Sequence, residues 1–204
     1  KYNSVGEIFN DFKMNNIDIV NTHLSNFTEY IGTIGYNKKV YSEREYDFLV
    51  FNQNDSVVSS LNVRKAIAYG INKDLLISNV LNNNKTITKG PLDYGSYLST
   101  DKELLSYDSE KAKKALEDDG YSISKGKYYK DGKALTITIL VCQYYADRVK
   151  VAENIKTQLA QVGITVNISS VNSQVYKNAI ENRSYQVMLT GILNSINPSL
   201  DYFY

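Results

Sequence analysis

The chain has 204 residues, 43% of them apolar and 22% charged, so it has room for one large or two small globular domains. Its 23 basic and 22 acidic residues leave a net charge of +1, which argues against a nucleic-acid partner. One cysteine (Cys142) and one histidine (His23) exclude an internal disulfide and argue against a His/Cys zinc site, and the usual Ser-His-Asp or Cys-His machinery would need the fold to bring His23 against a nucleophile.

No charged-then-apolar leader opens the chain, so the leader of an exported protein is expected to lie outside this sequence. No run reaches the roughly 18 apolar residues of a membrane helix. Ser4 to Glu7 fits a capping box. Val5, Ile8, Phe9 and Phe12 then form a stripe at helical spacing, which Asn15 and Asn16 end. Ile17 to Val20 reads as a short strand. Residues 21–44 are polar and poorly periodic, hence mostly loop with a short helix near Ser25 to Ile31.

Residues 46–51 are nearly continuous in apolar side chains, which predicts a strand buried on both faces. Asn62 is the expected N-cap of a helix over 63–70, and Asn72 of one over 73–81. Gly90 to Gly95 is turn-rich and reads as a loop. Asp108 caps a helix through Asp119, with Ala112, Ala115 and Leu116 inward and Gly120 at its stop. Asp131 and Gly132 mark a hairpin between short strands within 125–133.

A regular alternation follows. Leu135 to Cys142 is a strand. Asp147 to Val162 is a helix with Val151, Ala152, Ile155, Leu159 and Val162 on one face. Ile164 to Val171 is a strand, Ser173 to Asn182 a helix and Tyr185 to Ile192 a strand. This order predicts a βαβαβ unit with crossover connections. Tyrosine is frequent, at 18 residues; such side chains could line a ligand cleft, but any given one is read first as a half-buried strand or helix residue.

Several of these segments carry a resemblance. Tyr46 to Asn52 (YDFLVFN) is followed by Leu61 to Ile77 (LNVRKAIAYGINKDLLI). Together they resemble the signature of the peptide-type solute-binding proteins of bacterial ABC importers, in which a strand ending in Phe-Asn precedes a helix of the form Val-Arg-x-Ala-Ile-x-Tyr-x-Ile-Asp/Asn-Lys/Arg. Asn15 to Val20, Tyr107 to Tyr121, Asp131 to Leu140 and Ala152 to Val166 are similar to further elements of that family, in the same order. Ser109 stands where the family usually has proline.

The resemblance implies one lobe of a class II periplasmic-binding-protein-like α/β fold, a mixed sheet flanked by helices. Residues 1–20 would lead in from a second lobe that is not in this sequence, and residues 21–204 would form the ligand-binding lobe. The chain is then an excised piece or a proteolytic fragment of a larger receptor. The implied function is capture of a solute, an oligopeptide or dipeptide first, for a membrane permease. The implied location is extracellular and lipid-anchored, or periplasmic in a two-membrane bacterium. No cofactor, metal or catalytic group is implied. Nickel-chelate, heme or sugar ligands are the alternatives, as is a ligand-sensing domain of a transcriptional regulator.

In the family a Gly/Ser-Trp-x-x-Asp-Tyr-x-Asp/Glu-Pro stretch follows the last strand. Its tryptophan lines the cleft, and its aspartate pairs with a peptide's amino terminus. The matching stretch here is Gly191 to Pro198, one residue shorter. Ile192 stands at the tryptophan position and Ser195 at the aspartate position, so Ser195 brings no negative charge. Asp201 is a candidate substitute. The candidate ligand contacts are Ile192, Leu193, Asn194, Ser195 and Asn197, with Tyr94 and Tyr97 from the 90–97 loop. Arg64 and Lys65 are read as structural, and Asp118 with Asp119 as a solvated helix end.

Overall fold

The computed structural model describes residues 2, 4–22, 24, 27–32, 34–39, 41, 44–91 and 105–194. Helix α1 (Val5–Lys13) begins at Ser4, whose Oγ accepts from the Glu7 N–H, and buries Phe9. Phe9 stacks on Tyr30 of the four-residue helix α2 (Thr28–Ile31) at 5.5 Å. Between them, Ile17 to Val20 does not form the expected strand. No described strand offers it a ladder, and Ile19 is 84% exposed. An apolar run becomes a strand only when a neighbour satisfies its backbone groups.

The centre is a four-stranded sheet in the order β1-β7-β5-β6. It contains β1 (Glu45–Phe51), β5 (Thr136–Cys142), β6 (Thr165–Val171) and β7 (Val187–Leu193). β5 pairs in parallel with both β6 and β7, and β1 runs antiparallel to β7 with Leu49 opposite Leu189. The sheet is mixed, and the expected βαβαβ unit is present. β1 is only half-buried rather than buried on both faces, because among the described strands it lies at the sheet's edge and pairs with β7 alone.

Helix α6 (Ala146–Gln161) carries the chain from β5 to β6, and α7 (Ser173–Glu181) carries it back across β5 to β7. The β5 side chains alternate between the two layers. Ile137, Ile139 and Val141 join the cluster holding Ala152, Ile155 and Leu159 of α6. Cys142 points the other way, its Sγ 3.6 Å from Ser173 Oγ at the start of α7. The same core takes Val63, Ala66 and Ile67 from α3 (Leu61–Tyr69) and Ala112 and Leu116 from α5 (Ser109–Asp118).

The N-cap of α3 is Ser60, not Asn62. Ser60 Oγ accepts from the Val63 N–H and donates to Asp119 Oδ1 at 2.5 Å. Asp119 is therefore not a solvated helix end: its side chain is 16% exposed and also meets Lys130 Nζ at 3.2 Å. Asn72 does cap α4 (Lys73–Val80), and Asp108 caps α5. Strands β2 (Ser122–Ser124), β3 (Lys127–Lys130) and β4 (Lys133–Ala134) form a small antiparallel sheet. Both of its turns, Lys125-Gly126 and Asp131-Gly132, hold positive φ at each central residue, the geometry that suits tight hairpins. Arg64 is structural as expected, its Nη1 donating to the carbonyls of Val58 and Ser59.

Candidate functional site

The two crossovers set the site. α6 leaves β5 toward one side and α7 returns to the other, so the chain direction reverses about β5. Open α/β sheets bind ligands outside the carboxyl ends of their strands at such a reversal. A crevice of about 330 Å³ lies there, at the end of β5, the starts of α6 and α7, and the end of β7. A wider hollow of about 500 Å³ lies between α4 and residues 83–87. It is bounded by one helix and one loop, whereas four elements converge on the crevice, which we take as the candidate site.

The crevice wall is aromatic and hydroxyl-rich. Tyr144 and Tyr145, directly after β5, meet edge to face at 5.3 Å and 90°. Tyr144 is 78% exposed and Tyr145 45%. Tyr176 comes from α7, and its hydroxyl donates to the Leu189 carbonyl at 3.0 Å. Burial pushes the Tyr176 phenol above its ordinary pKa, with a hydrogen bond to Thr190 opposing. Ser173 and Thr190 add two further hydroxyls.

One cation, Arg148 in the first turn of α6, closes the wall. It is buried, and its guanidinium crosses the end of β7 to reach β1. Nε donates to Asp47 Oδ1 at 2.9 Å, and Nη2 donates to Glu45 Oε1 at 2.6 Å and lies 2.7 Å from Asp47 Oδ1. Its Cζ sits 4.3 Å from the Tyr145 ring centroid, a cation–π contact. The crossing depends on Gly191, which is opposite Asp47 in the ladder. A Cβ on Gly191 would overlap both Arg148 Nη2 and Asp47 Oδ1. Asp47 keeps 46% of its side chain exposed, yet lost hydration at its carboxyl raises its pKa despite the pull of Arg148.

Of the sequence-expected contacts, Ile192, Leu193 and Asn194 are described, and they follow Gly191 of the crevice wall along the chain. Ile192 and Leu193 end β7 opposite Tyr46 and Glu45, and Leu193 is 67% exposed. Asn194 bonds through its N–H to the Arg44 carbonyl and through Nδ2 to the Pro91 carbonyl at 2.8 Å. That bond joins the two segments picked from the sequence, the end of β7 and the loop beginning at Gly90. Ser195, Asn197, Tyr94, Tyr97, Asp201 and His23 lie outside the described residues.

Sequence reasoning missed Tyr144, Tyr145, Arg148, Ser173, Tyr176 and Thr190. A usable signal is present: Gln143 to Tyr145 immediately follow the strand Leu135 to Cys142, and residues just past the carboxyl end of a strand are where open α/β sheets place ligands. Among the described residues no group of three His, Cys, Asp or Glu side chains could hold a metal ion. The crevice offers a bound group aromatic faces and hydroxyls that both donate and accept.

Residues 4–204 match the family described as bacterial extracellular solute-binding proteins, family 5 Middle. A curated relative, the glutathione-binding protein GsiB of Pectobacterium atrosepticum, is 27% identical over 126 residues, 62% of this chain and 23% of that protein. The chain spans between 23% and 30% of the length of the curated relatives it matches. The oligopeptide-binding protein AppA of Bacillus subtilis, solved with a nonapeptide, superposes with a TM-score of 0.79 at 20% identity, over 95% of this chain and 40% of that one. NikZ of Campylobacter jejuni, solved with Ni(L-His), gives a TM-score of 0.76 at 20% identity, over 88% of this chain and 36% of that one. At these identities the superpositions carry the fold.

Proposed function

The chain belongs to the bacterial extracellular solute-binding proteins of family 5, and from that premise we propose that it forms one wall of a two-lobe receptor that captures a small solute for an ABC importer. Residues 21–204 are the capturing lobe, and residues 1–20 lead in from the second lobe. The receptor works outside the cytoplasm, lipid-anchored at the cell surface or free in a periplasm, and delivers its solute to a membrane permease. It binds and releases without chemistry.

The observation that supports this reading is the crevice at the carboxyl ends of β5 and β7, where α6 and α7 diverge. The solute we favour is a peptide. Glutathione and a nonapeptide, the ligands named for two of the relatives, are peptides, while Ni(L-His), Fe(III)-EDTA and mannohexaose are named for others. Ile192, Leu193, Asn194, Ser195 and Asn197, with Tyr94 and Tyr97, are assigned to the rim that contacts it.

The test uses the complete receptor. Native mass spectrometry identifies the solute that co-purifies, and hydrogen exchange with and without it maps the site. Protection concentrated at 142–148, 173–176 and 190–197 is the expected result. Protection confined to 74–87, or a complete receptor that retains no peptide-like solute and binds none from a peptide library, overturns the proposal.

A further inference from the structure

We infer that the crevice is a subsite for an uncharged flat group of the ligand, a phenol or amide plane, and that it refuses a free carboxylate. The inference deepens the receptor reading above and rests on it.

The argument begins with charge. Among the described residues that line the crevice, Arg148 is the one cation, and a lone guanidinium in a cleft wall would ordinarily invite a carboxylate. Here it already faces two. Asp47 and Glu45 lie within 2.9 Å of its nitrogens, so the cluster carries one positive and two negative charges. Lys85 also acts on Asp47, so the wider neighbourhood is charge-balanced rather than positive, and a third carboxylate would have to compete for a guanidinium whose Nε and Nη2 are both engaged. An amide carbonyl can still accept from the remaining nitrogen, Nη1, without adding charge.

Shape agrees with charge. The volume of about 330 Å³ is at the small end of ligand pockets, which span about 300–1,000 Å³, so it holds one side chain rather than a whole peptide. One face of Tyr145 carries the Arg148 guanidinium, and Tyr144 stands at right angles beside it. A flat group entering there meets ring faces and edges, the arrangement aromatic pairs prefer. The Ser173 and Thr190 hydroxyls accept or donate at its polar edge.

The test uses two probes of nearly the same shape, the neutral N-acetyl-tyrosinamide and N-acetyl-tyrosine, which carries a carboxylate in place of the amide. Each is titrated into the 204-residue chain at neutral pH while the backbone amides of Cys142, Arg148, Ser173 and Gly191 are followed by NMR. The expected result is that the amide moves these resonances with a Kd at least about tenfold below that of the acid. The paired substitutions Glu45→Gln and Asp47→Asn, which release Arg148, should close or reverse that gap, and Arg148→Met should preserve it. Equal or tighter binding of the acid to the unsubstituted chain overturns the inference, as does the absence of shifts at all four amides with either probe. That comparison needs no variant to fold. Failure here with peptide capture by the complete receptor intact removes the subsite alone; a complete receptor that captures no solute removes the receptor reading.

Discussion

Arg148 and Asp47 are 101 residues apart in sequence, yet Nε of one donates to Oδ1 of the other at 2.9 Å across the bare backbone of Gly191. The pair ties α6 to the sheet edge at the point where β7 runs out toward the rim. It is a long-range fastening beside the crevice, and it depends on a missing side chain.

Gly191→Ala should therefore destabilise the fold although the position is in ordinary strand conformation. The added methyl overlaps Arg148 Nη2 and Asp47 Oδ1, and overpacking of a filled space costs about 1–3 kcal/mol. Urea unfolding measures it. In an Arg148→Ala background the same substitution should cost less, because one of the two overlapped groups is gone and only the Asp47 carboxylate remains to be moved. Equal costs in both backgrounds would show that the guanidinium does not occupy that space.

Asp55 gives a pH-dependent prediction. Its Oδ1 accepts from the N–H groups of Val57 and Val58 and from Gln186 Nε2, while Gln186 Oε1 accepts from the Thr138 N–H at 2.6 Å. Burial opposes the charge, but the hydrogen bonds outweigh it and hold the carboxyl below its ordinary pKa of 3.8. A depressed native pKa stabilises the fold above the ordinary carboxylate range, and that contribution fades as pH falls through the native value. Asp55→Asn should cost about 1 kcal/mol at neutral pH, and the difference from the unsubstituted chain should shrink below about pH 4. A difference that grows on acidification would contradict the assignment.

The start of α3 separates two asparagine and serine roles. Ser60→Ala removes the cap on the Val63 N–H and the bond to Asp119, and should cost about 1–2 kcal/mol. Asn62→Ala, one residue into the helix, should stay within about 0.5 kcal/mol. Thermal unfolding of the two variants side by side decides this, and a larger loss for Asn62 would restore it as the cap.

What was legible in the sequence was local. The stripe Ala152, Ile155 and Leu159 and the alternating strands around it gave α6 and its neighbours, because helix and strand periods are written into a short window. Asp131-Gly132 announced a hairpin for the same reason. Ile17 to Val20 misled because an apolar run does not say whether a partner strand exists. β1 misled because its apolar run concealed its place at the edge of the sheet. Arg148 could not be read at all: its partners Asp47 and Glu45 are 101 and 103 residues away, and only the β1–β7 register brings them together over Gly191. The candidate contacts Ile192, Leu193, Asn194, Ser195, Asn197, Tyr94 and Tyr97 rest on the resemblance, and of those described, Asn194 has a bond to the loop beginning at Gly90.

The last prediction concerns enclosure. Ligand sites bury about 70–90% of a small ligand's surface. The crevice described here is open, walled by Tyr144 and Tyr145 that keep much of their own surface in solvent. In the proposed two-lobe receptor, the second lobe supplies the missing coverage. The 204-residue chain alone gains only part of the contact energy but still orders the exposed Tyr144 side chain on binding, and that ordering counts against affinity. Its Kd for the solute that co-purifies with the complete receptor should be at least about 100-fold weaker, equivalent to about 2.7 kcal/mol. Calorimetry on both proteins under one buffer measures the ratio. Affinities equal within about threefold would mean that this chain encloses its ligand unaided, and that the second lobe has another task.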